Sequence, residues 1–121
     1  MKITQREAVA AFVTLNQMSM KPMNSFTAYK LFRLKKALKD PVDFQAEEER
    51  KIATELGGEI TEDGRLNLPD GKLAMYKERR NELESLECEI DREKTEIHMK
   101  ELPNISMADM EILEPFIDWK E

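Results

Sequence analysis

Proline and glycine punctuation constrains this chain more than any other feature. Pro22, Pro41, the Gly57-Gly58 pair, Gly64, the Pro69-Asp70-Gly71 run, Pro103 and Pro115 leave room for helices of roughly three to five turns and for one hairpin. Within those limits the apolar residues recur mostly at helical spacing. Thr4 with Glu7 three positions on makes a capping box, and Ala8, Val9, Phe12, Val13 and Asn16 follow, which predicts a first helix over 5–18. Pro22 ends that stretch by removing a backbone donor. Ser25 then reads as the cap of a second helix over 26–39. Its apolar side is Phe26, Ala28, Tyr29, Leu31, Phe32, Leu34 and Leu38. Its other side is Lys30, Arg33, Lys35, Lys36 and Lys39, crowded toward the end where the helix dipole favours cations. Asp40 reads as the cap of a third helix over 41–56, with Pro41 at its first position. That helix carries Val42, Phe44, Ala46, Ile52, Ala53 and Leu56, with Glu47-Glu48-Glu49 toward solvent, and Gly57-Gly58 closes it.

Residues 59–61 and 65–68 flank Asp63-Gly64, the signature of a tight hairpin. A fourth helix over 70–87 follows, with Leu73, Tyr76, Arg80, Leu83 and Leu86 in one stripe that could extend to Ile90. Over 88–101 two readings compete. Cys88 and Ile90 alternate, then Ile97 and Met99 alternate in the opposite phase, which predicts a strand over 94–100 with a bend near Arg92–Lys94. The alternative is a continuation of the fourth helix. A strand is favoured, pairing with the hairpin, because a lone hairpin is marginal. Leu102-Pro103 stops it, Ser106 with Asp109 caps a last helix over 107–114, and Phe116, Ile117 and Trp119 form an apolar end cluster. The expected fold is a single α+β domain over 1–121. It is mostly helical, with four to five helices and a small antiparallel sheet of two to three strands. A chain of 121 residues is long enough to build such a core unaided.

Several function classes are disfavoured at this level. There is no run of about 18 apolar residues, so no spanning helix is expected. The opening Met1–Glu7 has no apolar signal core, which points to a cytoplasmic location. The lone Cys88 cannot form an internal disulfide, and the lone His98 is too few for most zinc sites. Cys88 lies between Glu87 and Glu89, whose charge raises a thiol's pKa, so a packing role is expected. His98 is expected on the surface or at an edge. Glu59, Glu62 and Asp63 do not fall in a calcium-loop register, and Gly57-Gly58 follows a helix rather than preceding one, unlike a phosphate cradle. No metal, cofactor or catalytic set is expected, and the chain reads as non-enzymatic.

The charge distribution is more telling than its sum. The net charge is −6, but residues 1–40 carry +6 and the remainder −12. Either the basic helices pack beside acidic ones, or two surfaces of opposite sign are exposed. Lys30, Arg33, Lys35, Lys36 and Lys39, interleaved with Tyr29 and Phe32, could follow a nucleic-acid backbone. Against this, the aromatics fall at core-like spacing and the rest of the chain is acidic. Acidic segments at 47–49, 59–63, 82–96 and 109–121, with Glu47, Glu48, Glu49, Glu62 and Asp63 foremost, could imitate a nucleic-acid backbone in a basic groove of another protein; the plain alternative is solubility. Met18, Met20 and Met23, beside Pro22, suit either adaptable partner contact or core filling between the first two helices.

Glu89-Ile90-Asp91, Leu102-Pro103-Asn104-Ile105-Ser106 and Ala108-Asp109-Met110-Glu111-Ile112-Leu113-Glu114-Pro115-Phe116-Ile117 resemble the ending of small phage and prophage proteins of Gram-positive bacteria, the family known as domain of unknown function 1617. The Lys2-Ile3 start, the Ala28-Tyr29-Lys30-Leu31 helix and the Asp63-Gly64 turn are similar in order and spacing. The resemblance implies a phage or prophage origin and carries over no activity or site residue. The expectation is a protein-interaction module. It would be either an accessory protein that inhibits a host defence factor through an acidic surface, or a small virion or tail-assembly component. A nucleic-acid-binding regulator using helix 26–39 is the third reading. The location would be the bacterial cytoplasm or the virion.

Overall fold

The first turn of the chain follows its capping box closely. Thr4 Oγ1 accepts from the Glu7 backbone N–H at 3.1 Å, and the Glu7 carboxylate accepts from the Thr4 N–H at 2.9 Å. Helix α1 (Gln5–Met18) begins there. The Thr4→Ala protein should lose about 1 kcal/mol of stability, read as a lower urea midpoint with an unchanged slope. In the computed structural model, residues 1–102 and 104–121 are described; Pro103, expected to stop a strand, lies outside them.

Helix α2 (Ser25–Ala37) is capped by Asn24, whose Oδ1 accepts from the Phe26 N–H at 2.8 Å, rather than by Ser25. Helix α3 (Lys39–Glu55) starts before the expected Asp40 cap, because only Leu38 separates it from α2 and no side chain caps it. Pro41 falls in its first turn, where a missing N–H leaves no bond broken. At its far end Gly57 adopts φ +85°. The Gly58 N–H reaches Ala53 O at 2.8 Å and the Gly57 N–H reaches Thr54 O at 3.0 Å, which together form a Schellman cap. Helix α4 (Leu73–Glu84) and helix α5 (Met107–Leu113) complete the helical set. Ser106 caps α5 through the Asp109 N–H at 3.1 Å, as its spacing predicted.

The fold is α+β and mostly helical, with the strands among the described residues in three separate pairs. Strand β1 (Lys2–Thr4) pairs antiparallel with β4 (Glu87–Glu89), setting Ile3 opposite Cys88. Strands β2 (Glu59–Ile60) and β3 (Leu66–Asn67) form the expected hairpin. Strand β5 (Thr95–His98) lies where alternation put it, but its partner is not the hairpin. It pairs in parallel with β6 (Ile117–Lys120), from Thr95 opposite Ile117 to His98 opposite Lys120. A parallel pair needs a crossover connection, and residues 99–116, with α5 among them, supply it. The end cluster read from Phe116, Ile117 and Trp119 is therefore a strand entry and a strand, with Ile117 buried and Asp118 and Lys120 exposed.

Two apolar clusters fill the interior. One joins Ile3, Leu15, Leu31, Leu34, Leu38, Ile97, Leu113, Phe116 and Ile117, drawn from both ends of the chain and from α1 and α2. The other joins Ile52, Ala53, Tyr76 and Leu83, with Leu56, Ile60, Leu66 and Leu68 against it. Three members of the stripe expected on a helix over 70–87 are not buried: Leu73 is half-exposed, Arg80 is turned outward to carboxylates, and Leu86, half-exposed, lies beyond the end of α4 at Glu84. Phe44 of α3 is likewise partly exposed. No helix among the described residues is long and apolar enough to cross a membrane.

Candidate functional site

Helix α2 carries two apolar rows, and only one is used inside. Thr27, Leu31, Leu34 and Leu38 follow one another at spacings of four and three and are buried. They face the neighbours of this helix, α1, α3 and β5. Phe26, Tyr29 and Phe32, expected in the core, instead stand in solvent at 79%, 59% and 59% exposure. The reason is geometric. Phe26 precedes Thr27 by one residue, which is about 100° around the helix. A helix packed on one side buries a single stripe of about that width, and the leucine row takes it.

The five cations expected together on this helix are divided by the fold. Lys30 donates to the Glu96 carbonyl at 3.0 Å and lies 3.8 Å from the Glu101 carboxylate. Lys35 leans over the Phe12 ring of α1, 5.5 Å from its centroid. Lys39 belongs to α3 and pairs with Asp43 at 2.7 Å. Arg33 and Lys36 alone share the outer face with the aromatics, and the Arg33 guanidinium stands 5.9 Å above the Tyr29 ring. Among the described residues, no carboxylate lies within 4.0 Å of either.

A groove runs along each side of this ridge, and Phe32 lines both. Toward α1 the groove holds ≈ 270 Å³ and is walled by Leu15, Met18, Met23, Ala28 and Lys35. Of the methionine cluster, Met18 is buried and Met23 half-buried here, while Met20 points into solvent. On the other side a wider groove of ≈ 550 Å³ sets Tyr29, Arg33 and Lys36 against Asp91, Arg92 and Glu93. Arg92 was not singled out from sequence. Its Nη2 donates to Thr95 Oγ1 at 2.9 Å, while its Nε is buried with no acceptor among the described residues. Burial, and then the neighbouring Arg33 charge, press its pKa below the ordinary guanidinium value.

The acidic candidates lie elsewhere and are mostly engaged. Glu48 meets Lys51 at 3.1 Å. Glu49 accepts from Gln45 Nε2 at 2.9 Å and lies 3.5 Å from Arg80. Asp63 accepts from the Thr61 hydroxyl and lies 3.3 Å from Arg65. Glu47 and Glu62 are exposed. Such surface pairs add little stability individually, but they draw negative charge away from any continuous outward patch. Cys88 is half-buried in β4 with its thiol pKa raised, first by burial and then by the Glu7 carboxylate in the first turn of α1. His98 lies on β5, where its backbone N–H donates to Glu101 at 3.1 Å. Cys88 and His98 thus belong to different strand pairs, and neither lines a groove beside α2. Among the described residues, no three His, Cys, Asp or Glu side chains converge as metal ligands. Comparison with family models, curated proteins and solved structures returns no match.

Proposed function

We propose that this chain is a non-enzymatic protein-interaction module whose working surface is the outer face of α2. The observation that carries the reading is the exposure of Phe26, Tyr29 and Phe32 in one row beside Arg33 and Lys36. Burying a large aromatic side chain stabilises by roughly 1.5–3 kcal/mol, so three left in water are a sizeable unspent driving force. Aromatics and arginine are also the residues that dominate protein interfaces. Their spacing of three suits a helix laid along a partner's groove. The resemblance to phage and prophage proteins supplies the setting, with the partner either a host factor or another virion protein. Because Glu48, Glu49 and Asp63 are already paired, the α2 face has better support than an acidic surface as the docking element.

The test places the photo-crosslinker p-benzoylphenylalanine at Phe32 in the full chain, with a second protein carrying it at Glu47 on α3. In an extract of phage-infected host cells, the Phe32 position should give one discrete protein adduct that resists nuclease, and the Glu47 position none. Adducts at Glu47 alone, or a nuclease-sensitive adduct at Phe32, would refute the reading. The identity of the captured protein separates a host target from a virion component.

A further inference from the structure

We infer that the groove between α2 and residues 91–93 receives a carboxylate side chain of the partner protein, held by Arg33, Lys36 and Arg92. The inference rests on the α2 reading and adds the chemistry of what docks there. Three cations from two distant parts of the chain line one groove. Among the described residues, none of them has a carboxylate within 4.0 Å. Arg92 is spent only in part: among the described residues its side chain makes one hydrogen bond, from Nη2 to Thr95 Oγ1. The half-buried Arg92 guanidinium feels the exposed Arg33 charge beside it more strongly than it would in bulk water, and an anion seated beside them turns that repulsion into attraction. Guanidinium forks match the two oxygens of a carboxylate or a phosphate.

The surroundings decide between those two anions. Asp91 and Glu93 line the same groove, and the chain as a whole carries −6. A nucleic-acid strand would have to carry further phosphates past these carboxylates. A single carboxylate on an otherwise apolar segment meets the cations at one point and the Tyr29 and Phe32 rings alongside. The partner surface is therefore apolar, with an isolated Asp or Glu at the height of Arg33 and Lys36.

The experiment is fluorescence anisotropy on the full chain with three labelled probes: an amphipathic helical peptide with a Leu face, a Gln polar face and a single Glu beside the leucines, the same peptide with Gln for that Glu, and oligothymidylate. The Glu peptide should bind at least about tenfold more tightly than the Gln peptide. Arg33→Gln with Lys36→Gln should erase that difference. Both residues are exposed or free of ion pairs, so these variants keep the fold, and Arg92→Gln is read alongside a thermal melt. Raising salt from 0.1 to 1 M, where screening shortens from about 10 to about 3 Å, should weaken only the Glu peptide. Equal binding of both peptides, abolished by Phe32→Asp and untouched by the cation variants, would overturn the carboxylate assignment and leave the α2 surface standing. Peptide binding indifferent to Phe32→Asp would remove the surface itself. Oligothymidylate binding in preference to the peptides, or no binding of any probe, overturns the inference.

Discussion

Truncating Phe116 to alanine is expected to cost about 3–5 kcal/mol of stability. Its ring is completely buried at the point where the chain enters β6, among side chains from α1, α2, α5 and both ends of the chain. Its backbone is bound on both sides, the N–H to Leu113 O at 2.9 Å and the carbonyl to the Thr95 N–H at 2.8 Å. Those bonds hold the strand in place and prevent collapse into the vacated space, which puts the cost at the upper end of the range. A domain of this size has only about 5–15 kcal/mol in total, so Phe116→Ala should be close to half-unfolded well below the wild-type urea midpoint. Phe26→Ala is the matched control. Its ring is 79% exposed, and its removal should shift stability by no more than about 0.5 kcal/mol. The same chemical change in one chain thus separates a residue that holds the fold from one that faces a partner. Equal losses at the two positions would mean that the aromatic row on α2 is structural after all.

Gly58→Ala is expected to cost about 1–3 kcal/mol of stability. A Cβ at Gly58 would run into the Asn67 carbonyl oxygen and stand 2.8 Å from Leu68 Cδ2. The leucine can turn away, but Asn67 is backbone in β3, opposite Glu59 in the hairpin ladder. Relief therefore requires the hairpin to separate from the end of α3, and the Gly58 N–H bond to Ala53 O with it. Urea unfolding gives the loss. Faster hydrogen exchange over 59–67 than over α1 would show that the damage is local to the hairpin. Gly64 provides the contrast, since nothing lies within 4 Å of a Cβ there. Its φ of +85° strains any L side chain but asparagine least, so Gly64→Asn should lower the midpoint less than Gly58→Ala does.

Local signals were sufficient wherever the structure is local. The Thr4–Glu7 capping box, the Ser106 cap, the Gly57-Gly58 stop and the Asp63-Gly64 hairpin each involve residues a few positions apart, and each is found at its expected place. Strand β5 was legible in part: Ile97 is buried in it as alternation required, but Met99, expected to share that face, is exposed beyond its end. Its partner was not legible. The pairing of Lys2–Thr4 with Glu87–Glu89, and of β5 with β6, joins segments that no local pattern connects. Strands of three and four residues are also too short to declare themselves by alternation. The candidate surface failed for a different reason. Helix α2 is apolar around most of its circumference, and periodicity alone cannot say which of two rows finds a neighbour. The leucines won the interior, and the aromatics expected there became the exposed feature. Arg92 was invisible because its importance comes from facing Arg33 and Lys36 across a groove built from distant segments.

The separation of the strands into three pairs has a bearing on how this chain survives in a crowded solution. Every described strand has a ladder partner on one side only, so each offers an open edge to strands of other molecules. Native sheets guard such edges with charge and with brevity, and both devices are present. The strands run from two to four residues, and Lys2, Glu87, Glu89, Glu96, Asp118 and Lys120 are exposed along them. Charge is thus placed where it discourages stacking of one copy on another, leaving the α2 ridge as the sticky face and the strand edges as the repellent ones.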